Sequence, residues 1–221
     1  MSRSAAAAAY RRGRPPAGRT PWRDAAFCVV DLETTGLDPR RDAIVAWSAI
    51  PVDAGRVVLA GAREGLTRPP AGVPPSAVLV HGLREGDLAA APPLAEAADA
   101  LLEAMAGRVL VAHAAWVEQA FLRRAVRSRG ARLRRRVVDT AALGRLWLYE
   151  RDGRAPRSLA LGDLARALAL PIHRPHTATG DALTTAQAFI ALAAHLDTLG
   201  GETVRSLADA ERRLDTARQY A

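Results

Sequence analysis

The stretch Phe27-Cys28-Val29-Val30-Asp31-Leu32-Glu33-Thr34-Thr35-Gly36 carries an apolar run into two carboxylates spaced i and i+2, then into two hydroxyls and a glycine. In a β-strand, residues two apart point to the same face, so Asp31 and Glu33 leave the end of a buried strand side by side. Like charges placed this way repel, and a bound divalent cation offsets the repulsion. The segment reads as half of a metal site. Cys28, the only cysteine of the chain, lies inside the apolar run and reads as a small buried hydrophobe. A single cysteine excludes an internal disulfide framework and a cysteine-based zinc site.

Working outward, Ala26 to Asp31 is expected to be the first strand, Ala43 to Val52 the second, and Arg56 to Leu66 the third. The turn signal Asp53-Ala54-Gly55 makes the last two a hairpin. A proline-rich loop follows. Leu94 to Met105 has helical spacing and is stopped by Gly107. Val109 to Ala112 is a short buried strand, Trp116 to Arg129 a helix, Val137-Val138 a brief strand ending at Asp139, and Thr140 to Leu148 a helix. Ser158 is read as the N-cap of a helix reaching Leu170, and Thr179 to Leu196 as the last core helix. Strand, hairpin, then alternating helix and strand argue an α/β fold with a mixed sheet. Residues 1–24 are rich in Ala, Arg and Pro and are expected to be a flexible basic arm. Residues 25–198 form the expected domain, and 199–221 a helical tail.

The chain has 221 residues, enough for one ordinary domain with a well-buried core. Its apolar stretches are too short to span a membrane, and the N-terminus lacks a signal-peptide core, so a cytoplasmic protein without membrane contact is expected. All 31 basic residues are arginine against 23 acidic ones, a formal charge of +8. Base-composition bias explains arginine in place of lysine, and the surplus of positive charge points to an anionic partner. The densest basic run, Arg123 to Arg136, follows the Trp116 helix and is suited to steering a strand by its phosphates.

A metal site on the first strand needs further ligands. The run His176-Thr177-Ala178-Thr179-Gly180-Asp181 supplies an aspartate in the first turn of the last core helix, where the helix dipole favours a carboxylate, with a histidine on the loop before it. Of the other histidines, His113 is read as a structural hydrogen-bonding residue, and His173 and His195 as solvent-facing.

Asp31 to Gly36 and His176 to Asp181, in this order, resemble the first and third motifs of the DnaQ-like 3′–5′ exonucleases, in the subclass named for three Asp, one Glu and a histidine. His81-Gly82-Leu83 and Val138-Asp139-Thr140 are similar to lesser family steps. The second motif, usually His-Asn-x-x-Phe-Asp, departs from the pattern: His113-Ala114-Ala115-Trp116-Val117-Glu118 replaces Asn, the aromatic and Asp. Glu118 keeps the charge but adds a methylene, so it is read as a ligand, direct or through water, with a weakened site as the alternative.

The resemblance implies an RNase H-like fold with a five-stranded mixed sheet flanked by helices. It implies two Mg²⁺ or Mn²⁺ ions held by Asp31, Glu33, Asp181 and Glu118, with His176 as general base. Thr34, Thr35, Gly36 and His81 are the expected substrate-binding residues. The reaction implied is hydrolysis from the 3′ end of single-stranded nucleic acid, DNA ahead of RNA, releasing nucleoside 5′-monophosphates. A polymerase or repair protein is the implied partner, and proofreading the narrower role. RNA trimming and a non-catalytic nucleic-acid-binding protein are the alternatives.

Overall fold

Residues 4–198 and 201–220 are described by the computed structural model; residues 1–3 of the expected arm, and 199–200 and 221 of the expected tail, lie outside them. The opening stretch forms β1 (Ala26–Thr34), the middle of the sheet. On one side β1 pairs antiparallel with β2 (Ile44–Asp53). On the other it pairs parallel with β5 (Val109–Ala112), which pairs parallel with β6 (Val137–Asp139). The outer edge of β2 carries both β3 (Arg56–Val57) and β4 (Arg63–Leu66), separated by a 3₁₀ turn at Leu59–Gly61. The expected third strand is therefore split. Pro51 of β2 has no N–H to offer, so the ladder cannot run unbroken past it; only its carbonyl is used, by the Val58 amide at 2.9 Å. Six strand segments thus occupy the five lateral positions expected of the mixed sheet.

Alternation along β1 makes two cores. Phe27 and Val29 face a layer built from α6 (Thr140–Asp152), α7 (Leu161–Ala167), α8 (Ala178–Leu196), α9 (Val204–Ala208) and α10 (Ala210–Gln219). Cys28, Val30 and Leu32 face α1 (Ala5–Arg12), α4 (Leu94–Ala104) and α5 (Trp116–Ser128). Phe27 meets Phe189 of α8 with ring centroids 4.7 Å apart. Burying such a side chain stabilises by roughly 1.5–3 kcal/mol. Burial pushes the Cys28 thiol up to about 12, so it behaves as the inert hydrophobe expected. Among the described residues, no helix is long and apolar enough to cross a membrane.

Four expectations need correction. The N-terminal arm is helical and packed where it is described: Ser4 caps α1, whose Ala6, Ala7 and Tyr10 are buried against α4, and Trp22 is buried with its indole N–H on Asp197 at 2.9 Å. The compositional signal failed because alanine buries a helix face without an obvious apolar stripe. The proline-rich loop contains α2 (Pro75–His81), with Pro75 where a missing N–H costs nothing, followed by the short α3 (Glu85–Leu88). Ser158 caps nothing; α7 starts at Leu161 behind Ala160. The single polar C-terminal helix is two helices, and the second docks on α6 through Arg145 and Glu211 at 2.9 Å.

Candidate active site

At the carboxyl end of β1, Asp31 and Glu33 share the face that meets the first turn of α8. Asp181 joins them there: one ligand oxygen from each of the three carboxylates lies within 4.8 Å of the others. Three carboxylates this close hold protons they would ordinarily lose. Burial, then the charges of Glu118, Asp181 and Glu33, push the Asp31 carboxyl well above the usual range. Burial, then Asp181, raises Glu33 to about 7. Asp181 is also raised, mainly by burial, with the His176 amide working against the shift. Among the described residues no cation is paired with them, so the donor set fits a divalent cation with oxygen ligands.

Glu118 stands on the first turn of α5 and does not enter the three-carboxylate group. It is buried, its Oε2 has no hydrogen-bond partner among the described residues, and burial raises it to about 8. After burial, its charge nevertheless does the most to hold the proton on Asp31. An orphaned, buried carboxylate oxygen beside a carboxylate cluster fits a cation ligand whose partner is the ion.

Asp139 places that turn. Its Oδ1 and Oδ2 accept the amides of Ala114 and Ala115, each at 3.0 Å, and Oδ1 also caps α6 at Ala141, 2.9 Å away. Ala114 is held at φ 51°, a left-handed conformation that asparagine, its counterpart in the usual motif, tolerates better. Thr140 follows Asp139 and contacts His113 Nδ1 at 3.0 Å, while His113 Nε2 meets the Leu159 carbonyl at 2.9 Å. A carbonyl only accepts, so Nε2 carries the proton and Nδ1 accepts from the hydroxyl; burial keeps the ring neutral. His113 has the structural role expected of it. The role of Asp139 was missed, although an acidic residue closing a strand before a helix is a readable capping signal.

His176 lies exposed on the strained loop before α8, at φ 60°, with Arg174 at 31°. The strain is held by a closed set of bonds. The His176 amide donates to Asp181 Oδ2 at 3.0 Å, the Thr177 hydroxyl to the Arg174 carbonyl at 2.8 Å, and the His173 amide to Thr184 Oγ1 at 3.0 Å. Asp181 thus both closes the acidic cluster and orients the histidine loop. His173 is half-buried with Nε2 3.0 Å from Gln187 Oε1, correcting the solvent-facing expectation; it is tied down by the same loop closure. His195 is on the surface as expected, stacked on Trp147.

Glu33 and His176 line one cavity of about 710 Å³. Its apolar wall includes Trp47, Leu66, Leu83, Ile172 and Leu183, and its polar rim His81, Glu64 and Thr179, the last two hydrogen-bonded to each other. His81 accepts the Leu83 amide through Nδ1, and its buried Nε2 has no partner among the described residues. Thr34, Thr35 and Gly36 do not line this cavity. Thr34 Oγ1 donates to the Gly36 carbonyl at 2.7 Å, and Thr35 Oγ1 bridges Asp42 Oδ1 and the Ala43 amide. A Cβ on Gly36 would lie 2.5 Å from the Asp42 carboxylate, which explains the glycine. The apolar wall and Glu64 carried no signal in the sequence.

The raised carboxyls have a measurable consequence. In the folded, cation-free chain Glu118 keeps its proton to about pH 8, against an ordinary value of 4.5. Between those limits the unfolded chain binds fewer protons, so this group's effect is to lower stability as pH rises. In EDTA, Glu118→Gln is expected to match the wild type at pH 4.5 and to exceed it by about 1–3 kcal/mol at pH 8. Mg²⁺ or Mn²⁺ at a hundredfold excess over Kd should stabilise the wild type by about 2.7 kcal/mol. Thermal unfolding indifferent to both pH and cation in this comparison would rule out a carboxylate metal site here.

A mixed sheet with carboxylates clustered at the end of its central strand, and a histidine on the loop beside them, offers oxygen ligands for a divalent cation next to a group able to take a proton. The exonuclease family model RNase_T matches residues 28–189. The chain belongs to this family of DnaQ-like exonucleases with the RNase H-like fold. It is 34% identical over 185 residues to the DNA polymerase III subunit epsilon-like protein of Rhodobacter capsulatus, covering 82% of this chain and 26% of that protein. It is 29% identical to the PolC-type DNA polymerase III of Thermotoga maritima, covering 87% of this chain and 13% of the polymerase. The chain therefore spans about a quarter or less of the length of these relatives. Among solved structures, exonuclease X in complex with 5′ overhanging duplex DNA superposes with a TM-score of 0.64 at 20% identity, covering 84% of this chain and 99% of that one. E. coli exonuclease I in complex with a dA16 oligonucleotide gives 0.64 at 18% identity, covering 76% and 40%. These last two likenesses concern the fold.

Proposed function

We propose that this chain is a metal-dependent 3′–5′ exonuclease acting on single-stranded ends, DNA ahead of RNA, and releasing nucleoside 5′-monophosphates in a cytoplasmic setting. The observation that carries the reading is the convergence of Asp31, Glu33 and Asp181 within 4.8 Å, beside a cavity shared by Glu33 and His176. Two Mg²⁺ or Mn²⁺ ions, when bound, supply Lewis acidity and neutralise charge at the scissile phosphate. Asp31, Glu33 and Asp181 hold them, with Glu118 as the fourth carboxylate. His176, free on its ring side of the loop, takes the proton of the attacking water at an imidazole nitrogen. The apolar wall around Trp47 receives the terminal base, with His81 and Glu64 facing its polar edges. The Thr34-Thr35-Gly36 turn positions the terminal nucleotide from beside the cluster. The names of the relatives suggest a polymerase or repair partner.

The basic run does not present one surface. Arg124 is committed to the Pro39 and Asp42 carbonyls, Arg129 to Asp99 at 2.6 Å, and Arg134 lies over the Tyr10 ring. Arg123 and Arg127 remain with Arg40 along a groove beside the loop that follows Gly36, and these steer the strand. Exposed Trp116 and Leu37, next to motif residues, offer stacking surface.

Glu118, standing outside the three-carboxylate group, favours one second reading, a domain that binds ends but cuts them slowly. The test is digestion of end-labelled DNA and RNA strands with Mg²⁺, Mn²⁺ or EDTA. Stepwise shortening from the 3′ end, absent in EDTA, is expected, with Glu118→Gln slowed by about 10–100-fold, the usual loss on disturbing a metal's ligand sphere. Binding without shortening would establish the second reading.

A further inference from the structure

At the amino-terminal end of the parallel strands, opposite the carboxylate cluster, four arginines from three segments surround a cleft of about 480 Å³. Arg135 and Arg136 come from the turn entering β6, Arg205 from α9 and Arg212 from α10. The one acidic residue of the lining, Asp209, is paired with Arg212. Arg135, Arg136 and Arg205 make no ion pair or side-chain hydrogen bond among the described residues. Two of these guanidiniums converge: Arg136 Nη2 and Arg205 Nε lie 3.0 and 3.2 Å from the position a Cβ on Gly18 would take. The platform beneath them is fixed. The Arg205 amide donates to the Gly18 carbonyl at 2.8 Å, the Val204 amide to the Thr20 carbonyl at 3.0 Å, and Pro21 bridges Thr203. Uncompensated, converging guanidiniums on a rigid base are complementary to phosphate oxygens, which they bind in a forked geometry.

We infer that this cleft is a second binding site for the phosphodiester backbone of nucleic acid, holding the strand away from the end being cut. The inference rests on the reading of the chain as a nuclease acting on strand ends. A polyanionic chain is favoured over an isolated anion because Arg135 extends the uncompensated positive surface beyond the converging pair. Register places Val137, in the lining of the cleft, level with Cys28 of β1 and two strands away from it, so the cleft lies at least about 14 Å from Asp31 at ~3.3 Å per residue and ~4.8 Å per strand. A strand held at both places must also cover the protein surface between them. The cleft should therefore be felt by long strands and not by short ones.

The test measures binding in EDTA, where cleavage is stopped, by fluorescence anisotropy of 5-nucleotide and 20-nucleotide single strands across a salt series. For the Arg136→Ala/Arg205→Ala variant of the full chain, the 20-nucleotide strand should bind at least about fivefold more weakly, with the log–log salt slope reduced by about 1.4, while the 5-nucleotide strand is unchanged. Arg205→Glu, an exposed single change, should give the same length-selective loss if the double variant does not fold. Equal losses for both lengths, no loss for either, or retained oligonucleotide binding with capture of an acidic peptide lost would overturn the assignment. A chain that shows the length-selective loss yet never shortens a strand keeps the cleft and loses the hydrolytic reading.

Discussion

Asp31→Asn is expected to lower the rate of 3′ shortening by at least about a thousandfold while leaving the protein folded. Asp31 is the carboxylate most affected by its surroundings, pressed by burial and by three other acids. The amide keeps its shape but cannot supply the charge that holds a divalent cation, and an effect of about 4 kcal/mol on the transition state corresponds to three decades in rate. The same change removes a charge that the cation-free fold tolerates poorly. In EDTA at pH 8 the variant should therefore melt higher than the wild type, and Mg²⁺ should add less to its stability. Loss of activity together with a gain in cation-free stability separates a metal ligand from a residue that merely supports the fold. Asp31→Asn with wild-type hydrolysis would remove the cluster from the mechanism.

Gly180→Ala is the second large effect, expected to reduce the turnover rate by about a hundredfold with smaller changes in cation binding. Gly180 lies in the first turn of α8, one residue before Asp181. A Cβ there would sit 2.2 Å from the His173 carbonyl oxygen, 2.4 Å from that of Arg174 and 2.7 Å from Thr177 Oγ1. The two closest atoms are backbone, so no side chain can rotate away. The loop must lift, and His176 lifts with it. A displacement of about 1 Å at a catalytic group costs on the order of a hundredfold. Release of the strained Arg174–His176 conformation limits the accompanying loss of stability to about 1–3 kcal/mol. Gly86→Ala, where the added Cβ meets nothing within 4 Å, is the control and should leave activity unchanged.

Much of this site was legible because strand and helix periodicity translate spacing into direction. Asp31 and Glu33 had to share a face once the strand was recognised, and Asp181 had to fall in the first turn once the helix was placed. The substitution at Glu118 was also visible. Its consequence was not, because whether one extra methylene brings a carboxylate into a cluster depends on where α5 begins, and Asp139 decides that from another strand. The apolar wall of Trp47, Leu66, Ile172 and Leu183 is assembled from four separate segments and leaves no local pattern. The split of the basic run followed the same logic: neighbours in sequence turned to opposite ends of the molecule as the chain passed from α5 to β6.

The sequence by itself determined the first strand, the identity of three clustered carboxylates and the histidine beside them, since local geometry dictates how residues two or a few apart are directed. Only the tertiary structure decided that the N-terminal segment is packed, that Glu118 stands apart from the three acids, and that Gly180 holds the histidine loop. It also decided that Arg136 and Arg205 meet over Gly18. Each of these depends on atoms brought together from distant parts of the chain, and close packing between such segments is set by burial and by backbone bonds that no single stretch of sequence contains.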